Sequence, residues 1–487
     1  METFPSLRIT ADALVPEGSF AEAQAAYLAP DRATVERLDQ LLHDKKLGVV
    51  AHYYMDPELQ GVLSSCSWPH ISVSDSLAMA DKAIDMVKGG ADTIVVLGVD
   101  FMSENARAML DVAGLKDVPV YRVAEEEIGC SLAASAEARA YGAYLAKGAQ
   151  ATNPLHVVYI NTSLITKAKA HATIPTITCT SSNVVQTVLQ AAAQVDDLSV
   201  FFGPDTYMGE NLESLLSAMA SMDDDAIAAV HPSHTRATIE SLRKRFHYFE
   251  QGNCVVHHLF GEDVVERVKS AYPDAFVTAH LEVPGEMFAL GLDRQTNDRG
   301  VVGSTADILR FILRKVDEYT NEESAPEGGT LQFILGTEAG MITPIVRQVQ
   351  TRLQQAKAGG ASFDVEIVFP VASEAVAATS DPSLPIVPGV AGGEGCTTAG
   401  GCATCPYMKM NSLDALLALG DSLGGERSLE SFEPRKYTEQ IQGRSAADLG
   451  GEPILHMRAF QQTGALPEAL VKDIRSRRVG AQFSASE

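Results

Sequence analysis

Three cysteines stand in settings suited to holding an inorganic centre: Ile128-Gly129-Cys130-Ser131, Gly252-Asn253-Cys254-Val255-Val256-His257-His258 and Cys402-Ala403-Thr404-Cys405-Pro406-Tyr407-Met408. More than a hundred residues separate each setting from the next. Thiolates so far apart meet only where separately folded pieces of chain converge. Three of them on one centre would leave a coordination position open, which describes a catalytic cluster rather than a structural metal knot.

Taken singly, a cysteine is usually a small buried hydrophobe, and Cys66 and Cys179 read that way. Cys402-x-x-Cys405 differs, because that spacing brings two thiolates within reach of one ion. Its plainer reading is half of a structural zinc site, with Cys396 as third ligand and a histidine from elsewhere. The spacing from Cys396 through Cys402 to Cys405 matches neither the radical-SAM triad nor the four-cysteine ferredoxin run. On spacing alone, zinc and iron–sulfur stay equally open.

A second group of reactive side chains falls at the ends of β-branched runs. Ala51-His52-Tyr53-Tyr54, Val158-Tyr159-Ile160-Asn161 and Ala279-His280-Leu281-Glu282 each carry polar residues two apart. Alternation along a strand sends such residues to one side. Any one of them alone is more simply a core residue satisfied by backbone. Three copies of the device indicate a shared polar cavity with groups for general acid–base chemistry.

The elements that must position these groups follow a regular rhythm. Strands are expected at Leu47–Tyr54, Thr93–Val99, Leu155–Asn161, Thr176–Thr180, Leu198–Gly203, Cys254–His258, Ala275–Leu281, Val301–Gly303, Leu331–Gly336 and Phe363–Phe369, with Ala/Leu-rich helices between them. Helix starts are expected at Ser74-Asp75-Ser76, Ser181-Ser182-Asn183, Ser304-Thr305-Ala306-Asp307 and Thr343-Pro344. Alternating strands and helices indicate an α/β fold with parallel sheets covered on both faces, which bind ligands at the strand C-termini.

The chain of 487 residues suggests about three domains. The organisation expected is an N-terminal helical segment over 1–46, a first α/β domain over 47–118 completed by 406–423, and a second over 119–204. A third spans 205–405, with insertions near 293–300 and 380–400, and a C-terminal extension covers 424–487. The extension reads as polar and irregular, with no catalytic part.

A net charge of −25 argues against nucleic acid and against an anionic membrane surface. Met1-Glu2-Thr3-Phe4-Pro5-Ser6-Leu7-Arg8 has no basic stretch leading into an apolar one, so no signal peptide is expected, and no apolar run reaches membrane-spanning length. Seven cysteines, an odd number, in such a chain point to a reducing cytoplasm and to metal or redox use.

Read together, the segments resemble the quinolinate synthase family, iron–sulfur enzymes of bacterial NAD biosynthesis. The resemblance is carried by Ala51-His52-Tyr53-Tyr54, Val73-Ser74-Asp75-Ser76-Leu77, Gly129-Cys130-Ser131, Tyr159-Ile160-Asn161-Thr162-Ser163 and Thr180-Ser181-Ser182-Asn183. It continues through Gly203-Pro204-Asp205, Gly252-Asn253-Cys254-Val255-Val256-His257, His280-Leu281-Glu282, Gly303-Ser304-Thr305, Gly336-Thr337-Glu338-Ala339-Gly340 and Cys405-Pro406-Tyr407-Met408-Lys409-Met410-Asn411, in the family's order.

The resemblance implies three similar three-layer αβα domains around a pseudo-threefold axis, with the active site at their common interface. It assigns a 4Fe–4S cluster to Cys130, Cys254 and Cys405, with one iron left open as a Lewis acid. It implies condensation of iminoaspartate with dihydroxyacetone phosphate to quinolinate, phosphate and two waters, and functional coupling to L-aspartate oxidase. Carried over by position, His52, Ser76, Tyr159, Asn161, Ser181, His280, Glu282, Ser304 and Thr305 bind substrate. Of the catalytic set Tyr54, Glu282, His280, Tyr159 and Asn161, Glu282 is the base and Tyr54 the candidate acid. The competing reading is a zinc-stabilised α/β binding protein or redox sensor that uses Cys396, Cys402 and Cys405 locally.

Overall fold

The computed structural model describes residues 3–321, 328–370 and 405–477, which divide into two units. The first unit comprises Met1–Ile128 and Val255–Pro434, and the second comprises Gly129–Cys254 and Arg435–Glu487.

The first unit holds two sheets. One is formed by β3 (Leu47–His52), β4 (Ile71–Ser74), β5 (Thr93–Leu97) and β6 (Val120–Tyr121), in the order β4-β3-β5-β6 and wholly parallel. All six residues of β3 are buried, as a strand covered on both faces requires. The helix that follows β4, Ser76–Lys88, starts where expected: Asp75 is its N-cap and accepts from the Leu77 and Ala78 amides.

The other sheet is built from β11 (Phe276–His280), β12 (Gly300–Gly303), β13 (Gly329–Gly336) and β14 (Phe363–Val368), which run parallel. β1 (Ser6–Ile9) and β2 (Leu14–Glu17) extend it antiparallel beyond β14. The N-terminal segment is therefore not helical throughout. Leu7 and Ile9 alternate into the core with no exposed surface, a period-2 pattern only four residues long and too short to stand out. The segment does carry two helices, Ser19–Tyr27 and Arg32–Asp44. Ser304 caps the Thr305–Thr320 helix in a capping box with Asp307. The Ile342–Ala358 helix starts ahead of Thr343, because a turn at Ala339–Met341 runs directly into it.

Residues 293–300 contain the end of the Gly285–Thr296 helix and the turn into β12. Asp298 in that turn, at φ 56°, receives Arg314 at 2.6 Å. The stretch 380–400, with Cys396, and also Cys402, lies outside the described residues.

The second unit has one parallel sheet, in the order β10-β9-β7-β8, from β7 (Pro154–Tyr159), β8 (Thr176–Cys179), β9 (Ser199–Gly203) and β10 (Phe246–Tyr248). The sheet thus runs past Pro204, where a domain boundary was expected, and gains its last strand more than forty residues later. The expected strand at Cys254–His258 does not form. Cys254 is in coil and His257–Leu259 make a single 3-10 turn. Val255 and Val256 give the local β signal, but Val255 is 41% exposed and no neighbouring strand receives it.

The C-terminal extension is more regular than its composition suggests. Ala446–Thr463 is an 18-residue helix that packs on the Leu164–Thr173 helix and β8. Gly450-Gly451-Glu452-Pro453 reads as a helix breaker, yet it is the contact face. A Cβ on Gly450 would come within 2.3 Å of the Leu164 carbonyl oxygen, so glycine permits the close approach.

Candidate active site

In the first unit, the C-termini of β3 and β11 carry the same device. β3 ends on His52 and β11 on His280, both buried. The Tyr54 amide donates to His52 Nδ1 at 3.1 Å, and the Glu282 amide donates to His280 Nδ1 at 3.3 Å. A ring nitrogen that accepts carries no proton, so each neutral imidazole is a donor at Nε2. Burial, the largest influence on each, holds His52 down to about 3 and His280 down to about 4, although nearby Glu282 pulls both upward. Two neutral Nε2–H donors at strand C-termini suit a carboxylate or carbonyl.

Glu282 follows β11 and is 2% exposed. His257, which the sequence reading left out of the site, lies with Nδ1 3.0 Å from Glu282 Oε2, and its ring stacks on His280 at 4.9 Å between centroids. The signal for His257 was present in the Asn253-Cys254-Val255-Val256-His257 segment. Tyr54 packs edge-on against His52 at 4.7 Å, lies 6.1 Å from the His257 ring, and has its hydroxyl 3.4 Å from Thr337 Oγ1. The structure therefore brings His52, Tyr54, His280 and Glu282 into one cluster, with His257 and Thr337 added.

The loop bearing Tyr54 is fixed from below. Gln60, 1% exposed, donates through Nε2 to the carbonyls of Tyr53 at 2.7 Å, Met55 at 3.1 Å and Gly340 at 3.0 Å. It joins the loop after β3 to the turn after β13. That turn also holds Glu338, whose Oε1 accepts the Cys405 amide at 2.6 Å. Burial pushes the Glu338 carboxyl well above the ordinary range, with the Cys405 amide acting against it. Asn411 secures the far end of the Cys405 segment: its side chain accepts the Gly98 amide at 3.0 Å and donates to the Gly98 and Met408 carbonyls.

The expected anion anchors in this unit differ in what they offer. Ser76 and Thr305 are the first residues of their helices, where amides and hydroxyls face a developing positive end. Ser304 is already engaged: its hydroxyl lies 2.6 Å from Asp307 Oδ2, and its amide donates to the same oxygen. A carboxylate in that position opposes a second anion.

In the second unit, Tyr159 ends β7, Asn161 follows it half-buried, and Ser181 stands half-buried after β8. Cys130 precedes the Ser131–Glu137 helix as its N-cap residue, and Cys254 is the last residue of the Gly129–Cys254 segment. Ser131 Oγ donates to the Asn253 carbonyl at 2.9 Å across 122 residues of sequence. The two cysteine-bearing segments are thereby held side by side.

Thiolates are the donors that an iron–sulfur centre takes. Cys130, Cys254 and Cys405 are half-buried. Cys66 and Cys179 are of another kind: burial pushes Cys66 up to about 12 and Cys179 well above its ordinary value, which keeps both as inert thiols. Beside Cys405, Glu338 Oε2 is buried with no hydrogen-bond partner among the described residues. A metal group carried close to that loop would give it a neighbour.

Parallel αβα layers, an acid–base cluster at strand C-termini and three half-buried cysteines define a cofactor-bearing α/β enzyme. The NadA family model, described as quinolinate synthetase A protein, matches residues 36–363. The chain is 54% identical to a chloroplastic quinolinate synthase of Nicotiana tabacum, over 100% of this chain and 68% of the relative. It is 53% identical to the chloroplastic enzyme of Arabidopsis thaliana, over 98% and 67%, and 30% identical to the quinolinate synthase of Methanocaldococcus jannaschii, over 63% and 76%. The chain belongs to the quinolinate synthase family and is an enzyme of this kind. Its relatives include plant and archaeal proteins, so the likeness extends beyond bacteria. Among the described residues no helix is long and apolar enough to cross a membrane.

Proposed function

We propose that the enzyme condenses iminoaspartate with dihydroxyacetone phosphate to give quinolinate, phosphate and two waters. The atoms balance with no external oxidant: one carbon–carbon and one carbon–nitrogen bond form, while phosphate and two waters leave. Cys130, Cys254 and Cys405 would hold a 4Fe–4S cluster, which when bound supplies a Lewis-acidic iron. The single observation that carries this reading is the Ser131–Asn253 bond, which joins the segments of two thiols far apart in sequence.

Glu282 takes the proton from substrate carbon, its carboxylate oriented by His257 at 3.0 Å. His52 and His280 donate from Nε2 to substrate oxygens. Tyr54, poised on Thr337, gives a proton to a departing hydroxide. Ser76, Ser181 and Thr305 supply hydroxyls to the carboxylates and phosphate, with a smaller part for Ser304, and Tyr159 and Asn161 are further substrate-binding residues. Iminoaspartate is short-lived in water, which gives coupling to an L-aspartate oxidase a chemical motive. A reducing compartment such as the cytoplasm would keep the cluster thiols available; the two plant relatives named above are chloroplastic.

The test is iron, acid-labile sulfide and zinc per chain on protein purified without oxygen. About four iron and four sulfide are expected, with loss of both in Cys130→Ala, Cys254→Ala and Cys405→Ala but not in Cys66→Ala. Stoichiometric zinc without sulfide would replace this reading with a local site on Cys396, Cys402 and Cys405.

A further inference from the structure

Lys167 is a charged side chain with no exposed surface. An ammonium is held in such a place only when hydrogen bonds replace its water. Its Nζ donates to the Ile160 carbonyl at 3.1 Å and to the Thr162 carbonyl, the two carbonyls that flank Asn161. The rest of the turn is closed by its own bonds: the Thr162 amide donates to Ile160 O at 2.7 Å, Thr162 Oγ1 donates to Tyr159 O at 3.1 Å, and Ser163 accepts the Thr166 amide. From Asn153 through Ala168, every residue is buried except Asn161. One side chain thus draws in the backbone on both sides of the single residue of this stretch left accessible.

We infer that Lys167 is a positioning residue for quinolinate formation: by gripping the Ile160 and Thr162 carbonyls it fixes the turn that presents Asn161 to substrate. The same enclosure removes Lys167 as a Schiff-base nucleophile, since its nitrogen is enclosed by carbonyls. The inference rests on the reading of Asn161 as a substrate-binding residue.

Lys167→Met keeps the stem and removes the donor. With circular dichroism and iron content like the parent, the variant is expected to raise KM for at least one substrate by about 10-fold or more, as a misplaced binding group does. A purely structural role would lower kcat through the folded fraction and leave KM unchanged, and that result overturns the inference. If Lys167→Met does not fold, Lys167→Gln, which retains an N–H donor, takes the same measurement; failure of both to fold assigns Lys167 to stability alone and also overturns it. Asn161→Ala in parallel separates two failures. Unchanged KM there removes the reading of Asn161, whereas raised KM there with unchanged KM in Lys167→Met removes only the inference about Lys167.

Discussion

Nδ1 of His257 lies 3.0 Å from Oε2 of Glu282, and both side chains are all but completely buried. A carboxylate in such a place is costly unless paired, so the pairing offsets that cost and fixes where the group points. His280 stacked on His257 and accepting the Glu282 amide completes a closed arrangement around one oxygen pair.

Glu282→Gln keeps the shape of that arrangement and removes the base. The expected loss in kcat is about 10²–10⁴-fold, with iron content unchanged. Turnover at the parent's rate, followed by quinolinate absorbance, would remove Glu282 from proton transfer.

The turn after β13 and the loop after β3 meet without space to spare. A Cβ on Gly340 would stand 2.5 Å from the Tyr53 carbonyl oxygen and 3.0 Å from the Tyr54 Cα, both backbone atoms that must then shift. Gly340→Ala is expected to misplace Tyr54 and lower kcat by about 10²-fold. Gln60→Glu, which sets a carboxylate against three carbonyls, should do the same. Steady-state kinetics at saturating substrate distinguishes these variants from ones that only weaken binding.

Stability should fall in mild acid. Burial holds His52 and His156 to about 3 and His171 and His280 to about 4, against an ordinary value of 6.5. Above pH 6.5 these groups are neutral folded or unfolded, and their contribution is fully present. As pH falls below 6.5 the unfolded chain takes up protons first, so stability is lost progressively until the folded values are reached. At pH 5 each buried histidine costs roughly 2 kcal/mol. Urea unfolding of the metal-free protein at pH 7.5 and pH 5 would measure this; equal midpoints would contradict it.

The C-terminal helix is part of the second unit's core. Gly450→Ala must push Ala446–Thr463 away from the Leu164 carbonyl, with an expected loss of about 1–3 kcal/mol. Chemical denaturation of the variant measures it. Unchanged stability would show that the Leu164–Thr173 helix gives way freely.

The sequence by itself determined the α/β class, most strand positions and where the candidate site residues fall along the strands, because these depend on local patterns. Strand residues such as Val49–Ala51 are apolar in unbroken runs, and His52 and His280 mark where those runs stop. The helix starts at Asp75 and Ser304 were legible because a cap is a bond between neighbours in sequence. Only the tertiary structure decided the partnerships between distant residues: His257 with Glu282 inside the cluster, Gln60 with Gly340, Glu338 with the Cys405 amide, and Ser131 with Asn253. It also decided two points against local signals. Val255 and Val256 form no strand because no neighbour pairs with them, and Gly450-Gly451-Glu452-Pro453 lies inside a helix because close packing on the Leu164–Thr173 helix outweighs a weak local propensity.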